Sequence, residues 1–477
     1  MIGSSFSGLL VSLALSRAGI EHVVVGGPEP PRIPRLGESL NECAAPELWR
    51  LFQAEMPGLF FPKSHISLLN GEYATMAKFG DPHRSFGGDG EEANGSERRW
   101  MNVLSHVDRV ELDPEVYRRA RAEPACRFVE DRVAALDFDP GSDRVRGLTL
   151  ESGESLHEPR YVFDATGYRG VVANPAGVGI ESISDLQRVV WTHHLRKDGP
   201  AYDRWWHCGT NMLRLEERVD GLDGISWMIP IGRRLSVGIS VDGARTEPAE
   251  EIIRLLDAAF ARRGVDYRAE YPDTEEKPLE LRHKYFVRER AYGANWLLAG
   301  GTFVSIWFPS SSGLWTAVAA AGMAPRLLEE PLKAGASYES MMRELVAFHR
   351  NLDEMIGNGA MGSRAEGYEF WATWLSRIPR RLSHYIRVRR GIYESWRPLP
   401  GLMSGITRVL LDRPGFHVST GGFYRIHVEH RPDLVRQGEA FEAYFDKRRF
   451  RRAGRRAGLR EGLRLLRRPV GRYASPR

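Results

Sequence analysis

The chain has 477 residues, 42% of them apolar and 27% charged, which suits two or three lobes around a sizeable core and excludes wholesale disorder. The net charge of +5 belongs to a tail: residues 447–477 hold thirteen Lys/Arg against one acid, Glu461, so the remaining 446 residues sum to −7 and offer no broad basic face to nucleic acid. Cys43, Cys126 and Cys208 lie far apart with no CxxC pair, which excludes a disulfide framework and a zinc signature, and a reducing cytoplasm is the default.

The opening "MIGSSFSGLLVSLALSRAGIEHVVVGG" reads as a βα unit that holds a dinucleotide. Gly3 and Gly8 fit the first and third glycines of the turn, and Ser5 stands where the second is expected. Leu9, Leu10, Leu13 and Leu15 give a helix an apolar face, Gly19 suits its C-terminal cap, and His22–Val25 reads as the next buried strand. Only Met1 and Ile2 represent the strand before the turn, so the first strand reads as truncated, with upstream coding sequence expected to supply an apolar strand. Gly26 stands where an acid for the ribose hydroxyls is usual, and Glu29 lies nearby on a proline-rich loop. "GLLVSLALS" lacks the basic residues of a signal peptide, and no run of eighteen apolar residues marks a spanning helix.

Downstream come "PRLGESLNECAAPELWRLF", "SHVDRVELDPEVYRRARA", "YVFDATGYRG" and "GISWMIPIGRRLSVGISVD". "DATG" ends a strand, and Ser39 could cap a helix. "VVWTHHL", "TNMLRL", "ISWMIP" and "RLSVGISV" read as strands of an antiparallel sheet. His193 and His194 are adjacent, so on a strand they face opposite sides, which argues against a shared metal site; no metal is expected. Trp205, Trp206 and Trp307 suit core packing or an aromatic pocket. "WLLAGG" is a buried strand, "FPSSSGLW" a turn, and "LWTAVAAAGMAPRLLEE" a helix whose N-terminus could face an anion. From about residue 335 the pattern is helical. In the tail, Leu459, Leu463, Leu466 and Val470 recur at helical spacing among arginines. That tail reads as disordered, as an amphipathic helix on an anionic membrane surface, or as a docking helix for an acidic partner such as a carrier protein. The location is cytoplasmic, with membrane association through the tail left open.

Taken in order over roughly residues 1 to 350, these blocks resemble the flavin-dependent halogenase family, within the single-component FAD monooxygenases. The resemblance implies an α/β fold: a Rossmann-like, three-layer FAD-binding domain (1–55, 103–170 and 285–334) with an inserted antiparallel β-sheet substrate domain (56–102 and 171–284); the residue pattern adds a helical C-terminal lobe (335–446) and the basic tail (447–477). It implies FAD as cofactor, held by Gly3, Ser5, Gly8, Gly37, Ser39, Arg109, Asp164, Gly167, Gly300, Pro309, Ser312 and Gly313. The family's "GD" is Gly300-Gly301 here, so its acid is missing, and the P-x-x-S-x-G spacing is one residue short. "GES" (Gly37 to Ser39) resembles the strap over the flavin. Trp227, Ile229 and Pro230 match part of the WxWxIP signature that shields the flavin from the substrate. Glu38 and one lysine, Lys63 or Lys78, are the catalytic candidates. In the family, reduced FAD forms a flavin hydroperoxide, chloride attacks it, and hypochlorous acid reaches a lysine beside the substrate. The expected activity is halogenation or hydroxylation of an aromatic or polyketide-like natural product, with reduced flavin from a separate reductase. The alternatives are a hydroxylase or dehydrogenase without halogenation, and a scaffold that has lost FAD, towards which Ser5, Gly26 and Gly301 point.

Overall fold

The computed structural model describes residues 1–40, 56–63, 65–70, 73–78, 105–198, 205–306, 313–357, 418–419 and 425–430, with Ala44 and Leu48. Cys43, Trp307, Pro309, Ser312 and the basic tail lie outside the described residues, as do the side chains of Lys78 and Trp205.

The opening helix spans Phe6–Arg17. Its leucines are buried, and so are Gly8, Val11 and Ser12, so it is enclosed on all sides rather than along one face. Ala18 is the C-cap, and Gly19, at φ +69°, takes the left-handed position that ends the helix. The strand His22–Gly26 follows and pairs in parallel with Cys126–Glu130. A second parallel pair joins Val162–Asp164 to Trp296–Leu298. Ile2 links the two pairs, bridging Val25 on one side and Asp164 on the other. Its N–H donates to Phe163 O at 2.8 Å, and its carbonyl accepts from Ala165 N–H at 2.8 Å. Ile2 thus occupies the central position of a parallel sheet. Apart from Asp164 at the strand end the central segments are apolar, as a sheet covered on both faces requires: Val162, Phe163, Leu297 and Leu298 are all buried. The opening helix packs against helices Arg109–Ala122 and Gly313–Glu329, and helix Pro331–Gly357 packs on the latter.

The second, ten-stranded sheet contains the strands expected between residues 187 and 242. Gln187–Leu195, Arg234–Asp242, Gly224–Ile231 and Gly209–Leu215 are successive antiparallel neighbours. The sheet is mixed, however, because Gly209–Leu215 runs parallel to His65–Asn70. These two strands are far apart in sequence, so no hairpin turn forces them antiparallel. A further departure lies in the segment read as helical: Arg425–His430 is a strand, paired antiparallel with Tyr73–Lys78. Its Ile426 and Val428 alternate with charged residues, the period-2 pattern of a strand. Helix Ala249–Arg262 covers one face of the sheet, where Ile252, Leu256 and Phe260 join Val190, Leu213 and Val237. On the other face Val189, Trp191, Trp227 and Ile229 pack against Leu36 and Phe61. That second contact seats the loop around Gly37 between the two sheets.

Candidate cofactor cavity and the buried strap cluster

A cavity of about 620 Å³ opens where the parallel strands end. Three turns form its floor: Gly3–Ser7 after Ile2, Ala165–Gly167 after Val162–Asp164, and Ala299–Thr302 after Trp296–Leu298. Crevices at the carboxyl ends of parallel strands are where open α/β sheets take ligands. Two glycines permit this floor. Gly3 sits at φ +99°, and a Cβ there would lie 2.7 Å from Ala165 O. A Cβ on Gly8 would lie 2.2 Å from Gly3 O, so the helix can approach its own turn only at glycine.

The wall suits an anion. Ser5 is the N-cap of the opening helix, yet its side chain caps nothing. Its hydroxyl donates instead to Ala165 O at 2.8 Å, so no cap side chain covers the first-turn N–H groups and no acid stands in that turn. Arg109 lines the cavity but is committed: it donates to both Asp113 oxygens at 2.5 and 2.6 Å and to Leu36 O at 2.8 Å, and lies 4.8 Å from the Phe6 ring centre. Arg35, which sequence reasoning missed, also lines the cavity. Its Nε lies 3.5 Å from Asp113, and its Nη2 donates to Pro31 O at 3.3 Å. Two guanidiniums thus share one carboxylate, leaving one positive charge. The signal was the basic residue two positions before Gly37.

The other expected cofactor residues divide. Gly37, Gly167 and Gly313 line the cavity, Gly313 at the start of a second helix facing it; so does Gly301, where the expected acid is missing. Gly300 lies behind it, packed against Ser7. Asp164 is buried, and its carboxylate accepts from the Thr166 hydroxyl and the N–H groups of Thr166 and Val172. It therefore holds the turn in shape rather than facing the cavity, and burial raises its pKa. A side chain at Gly26 would meet Ser4 at 2.5 Å, so no acid fits there, whereas at Gly301 a Cβ would meet nothing within 4 Å among the described residues.

Glu38, Ser39 and Lys63 are not among the lining residues; they belong to a buried polar cluster built around the segment after Gly37. Glu38 contacts His193 Nε2 at 2.6 Å and accepts from the Ser236 hydroxyl at 2.8 Å. His193 Nδ1 reaches Glu275 at 3.3 Å, and Glu275 holds Arg234, which also binds Asp108 at 2.5 Å. Burial opposes charge on His193, but Glu38 and Glu275 outweigh it and push its pKa up to about 9. Arg234 and His193 hold Glu275 down at about 2 despite its partial burial. His194 points the other way, to Thr274 and Arg268, as the alternation requires. Lys63 Nζ donates to Ser39 Oγ at 2.7 Å and Leu40 O at 2.9 Å. Ser39 thus serves this cluster rather than the cavity. Trp227 is buried with its indole N–H on Ser236 Oγ at 3.1 Å, and Pro230 O faces His106 at 2.9 Å. Trp227 and Ile229 lie behind Leu36, which lines the cavity. Trp206 is a core residue.

No family model matches the chain, and none of the curated proteins does. Solved structures do. The chain is similar to Xcc4156, a flavin-dependent halogenase from Xanthomonas campestris, at 18% identity and TM-score 0.61, over 93% of each chain. It is similar to the flavin-dependent brominase Bmp2 at 16% identity and TM-score 0.56, over 85% of this chain and 96% of that one. It is also similar to PqsL, a probable FAD-dependent monooxygenase from Pseudomonas aeruginosa, at 15% identity and TM-score 0.56, over 78% of this chain and 98% of that one. Similarity of this extent at such low identity reports backbone architecture, and the chain has the fold of the flavin-dependent halogenases and FAD-dependent monooxygenases.

Proposed function

We propose that the chain binds FAD in the 620 Å³ cavity and oxidises a small aromatic or polyketide-like molecule, by halogenation or hydroxylation. The observation that carries this reading is the uncapped first turn of the opening helix, set over Gly3 and Gly8 and beside Arg35. A dinucleotide needs backbone at close approach to its pyrophosphate, a helix N-terminus and a compensating cation, and all three are present. The three departures do not oppose it. Ser5 turns its hydroxyl onto Ala165 O, Ser4 fills the space beside Gly26, and Gly301 has no described neighbour beside its Cβ position. Asp164 and Arg109 hold the turns and the strap that line the site. When bound and reduced, FAD supplies the activation of oxygen. The remaining work of this chain is to orient the cofactor and keep water out. The PqsL–2-aminobenzoylacetate complex supports a substrate of aromatic type.

On the halogenating reading, Lys63 is the residue that handles the halogen. It is buried and tied to the strap through Ser39 and Leu40 O, and a separate reductase supplies reduced flavin. A second reading, hydroxylation without halogenation, is favoured by the absence of Lys63 from the lining of the cavity. The test is titration of the purified full chain with oxidised and reduced FAD, followed by product masses with chloride or bromide present. A chain that binds neither form removes the proposal, and oxygenated products alone select hydroxylation. Lys63→Met is expected to keep FAD affinity and lose halogenated product by on the order of 10²-fold; undiminished halogenation in this variant excludes Lys63. Arg35→Met is expected to weaken FAD binding about tenfold, the loss of one charge-assisted contact worth ~1.5 kcal/mol. Fluorescence quenching of the flavin reads this directly, and unchanged affinity would place the pyrophosphate elsewhere.

A further inference from the structure

A buried hydrogen-bonded chain joins five segments of the sequence. Lys63 Nζ donates to Ser39 Oγ at 2.7 Å, Ser39 Oγ lies 2.8 Å from Thr210 Oγ1, and Thr210 Oγ1 lies 3.0 Å from His106 Nε2. The other ring nitrogen, His106 Nδ1, lies 2.9 Å from Pro230 O. All four side chains are nearly sealed from solvent: Lys63 is 4% exposed, Ser39 6%, Thr210 4% and His106 0%. Partners fix the direction. A carbonyl can only accept, so Nδ1 carries the proton of the neutral ring and Nε2 offers a lone pair. Thr210 therefore donates to His106, Ser39 to Thr210, and the ammonium to Ser39.

We propose that Lys63, Ser39, Thr210 and His106 form a one-proton relay, which carries a proton from the Lys63 ammonium to His106 and back. In the forward direction a Lys63 N–H bond breaks as Ser39 Oγ gains that proton. Ser39 passes its own proton to Thr210, and Thr210 passes its own to His106 Nε2. Both hydroxyls are restored, Lys63 is left a neutral amine with its lone pair, and His106 is an imidazolium. Charge and protons balance without any outside base. The inference rests on the reading of Lys63 as a reacting amine. An ammonium has no lone pair, so such a lysine must lose a proton first, and at this depth it hands that proton to bulk water only slowly at neutral pH.

Burial holds the His106 pKa well below its ordinary value, and the charge on Lys63 adds to this, so at rest the proton belongs to Lys63. Removing the charge from Lys63 relieves that opposition, and the two groups share one proton as a coupled pair. Among the described residues the other titratable groups nearby are His65, which also disfavours charge on His106, Glu38, which contacts His193 and Ser236, and Asp108, which binds Arg234. Thr210 and His106 are positioning residues in this scheme, since they act through Lys63.

Two measurements on the full chain test it. Thr210→Val should lose on the order of 10²-fold in kcat with KM nearly unchanged, Thr210→Ser should recover most of the loss, and the deficit of the valine variant should shrink as pH rises and hydroxide takes the proton. Thermal midpoints serve as the folding control. A deficit equal at every pH, or a serine variant as poor as the valine one, overturns the relay. The second measurement needs neither flavin nor turnover: side-chain ¹⁵N resonances of His106 should show a protonated Nδ1 and an unprotonated Nε2. Lys63→Met should move protonation of that ring to higher pH by about one unit or more. An Nε2–H tautomer overturns the relay whatever the activity. The expected tautomer and coupling, combined with full turnover in Lys63→Met, uphold the relay and remove the reading of Lys63 as the reacting amine.

Discussion

Gly8→Ala is expected to lower FAD affinity on the order of 10²-fold, whereas Gly301→Ala leaves it near the unmodified level, although only Gly301 lines the cavity. The contrast follows from what each new methyl would meet. At Gly8 the Cβ would stand 2.2 Å from Gly3 O and 3.1 Å from the Ala165 Cβ. The helix must then lift off its turn, and both strand-end turns that form the cavity floor move with it. Overpacking of this kind costs about 1–3 kcal/mol, and here the strain falls on the backbone that approaches the pyrophosphate. At Gly301 nothing among the described residues lies within 4 Å of the Cβ position. Titrating both variants with FAD, alongside their thermal midpoints, separates loss of the site from loss of the fold. Equal affinities in the two would mean that the cofactor does not sit on the Gly3–Gly8 turn.

Much of this architecture was legible in the sequence because it is written locally. Glycines at positions 3 and 8, the leucines that follow and the valines of residues 23–25 specify a βα unit through spacing alone, and the helix and strand appear where that spacing puts them. The order of the downstream blocks carried the resemblance, and the solved structures share that architecture. Three features were not legible, each for a physical reason. The departures at Ser5, Gly26 and Gly301 read as erosion because sequence holds no side-chain direction; the Ser5 hydroxyl turning to Ala165 O is a contact across 160 residues. The parallel pairing of Gly209–Leu215 with His65–Asn70 is non-local and leaves no turn signature. The strap cluster draws Glu38 and Ser39, Lys63, His106, His193 and Thr210 from five segments, so no window contains its pattern. His106 stood inside the quoted "SHVDR" without a spacing that marked it. Thr210 had no signal, since a threonine in a buried strand is ordinary.

The largest expected effect on stability is at His193. His193→Leu should lower stability by about 3–5 kcal/mol, because it removes the cation from between two carboxylates and leaves Glu38, 1% exposed, with an uncompensated buried charge. The thermal midpoint should fall by on the order of 10 °C. The pH dependence identifies the cause. In the unfolded chain this histidine titrates near 6.5, and in the folded chain near 9, because the attraction of Glu38 and Glu275 exceeds the cost of burial. A folded-state pKa raised above the unfolded one gives stabilisation that is complete below pH 6.5 and is lost as pH rises through 9. Denaturant midpoints measured below 6.5 and above 9 should therefore diverge in the unmodified chain, with the loss on the alkaline side, and should converge in His193→Gln, which keeps hydrogen-bonding capacity without a charge. Because Glu38 belongs to the strap and His193 to the large sheet, the same alkaline loss should loosen the strap over the cavity, and FAD affinity should weaken over that window. A glutamine variant that keeps the alkaline loss of the unmodified chain would assign it to another group.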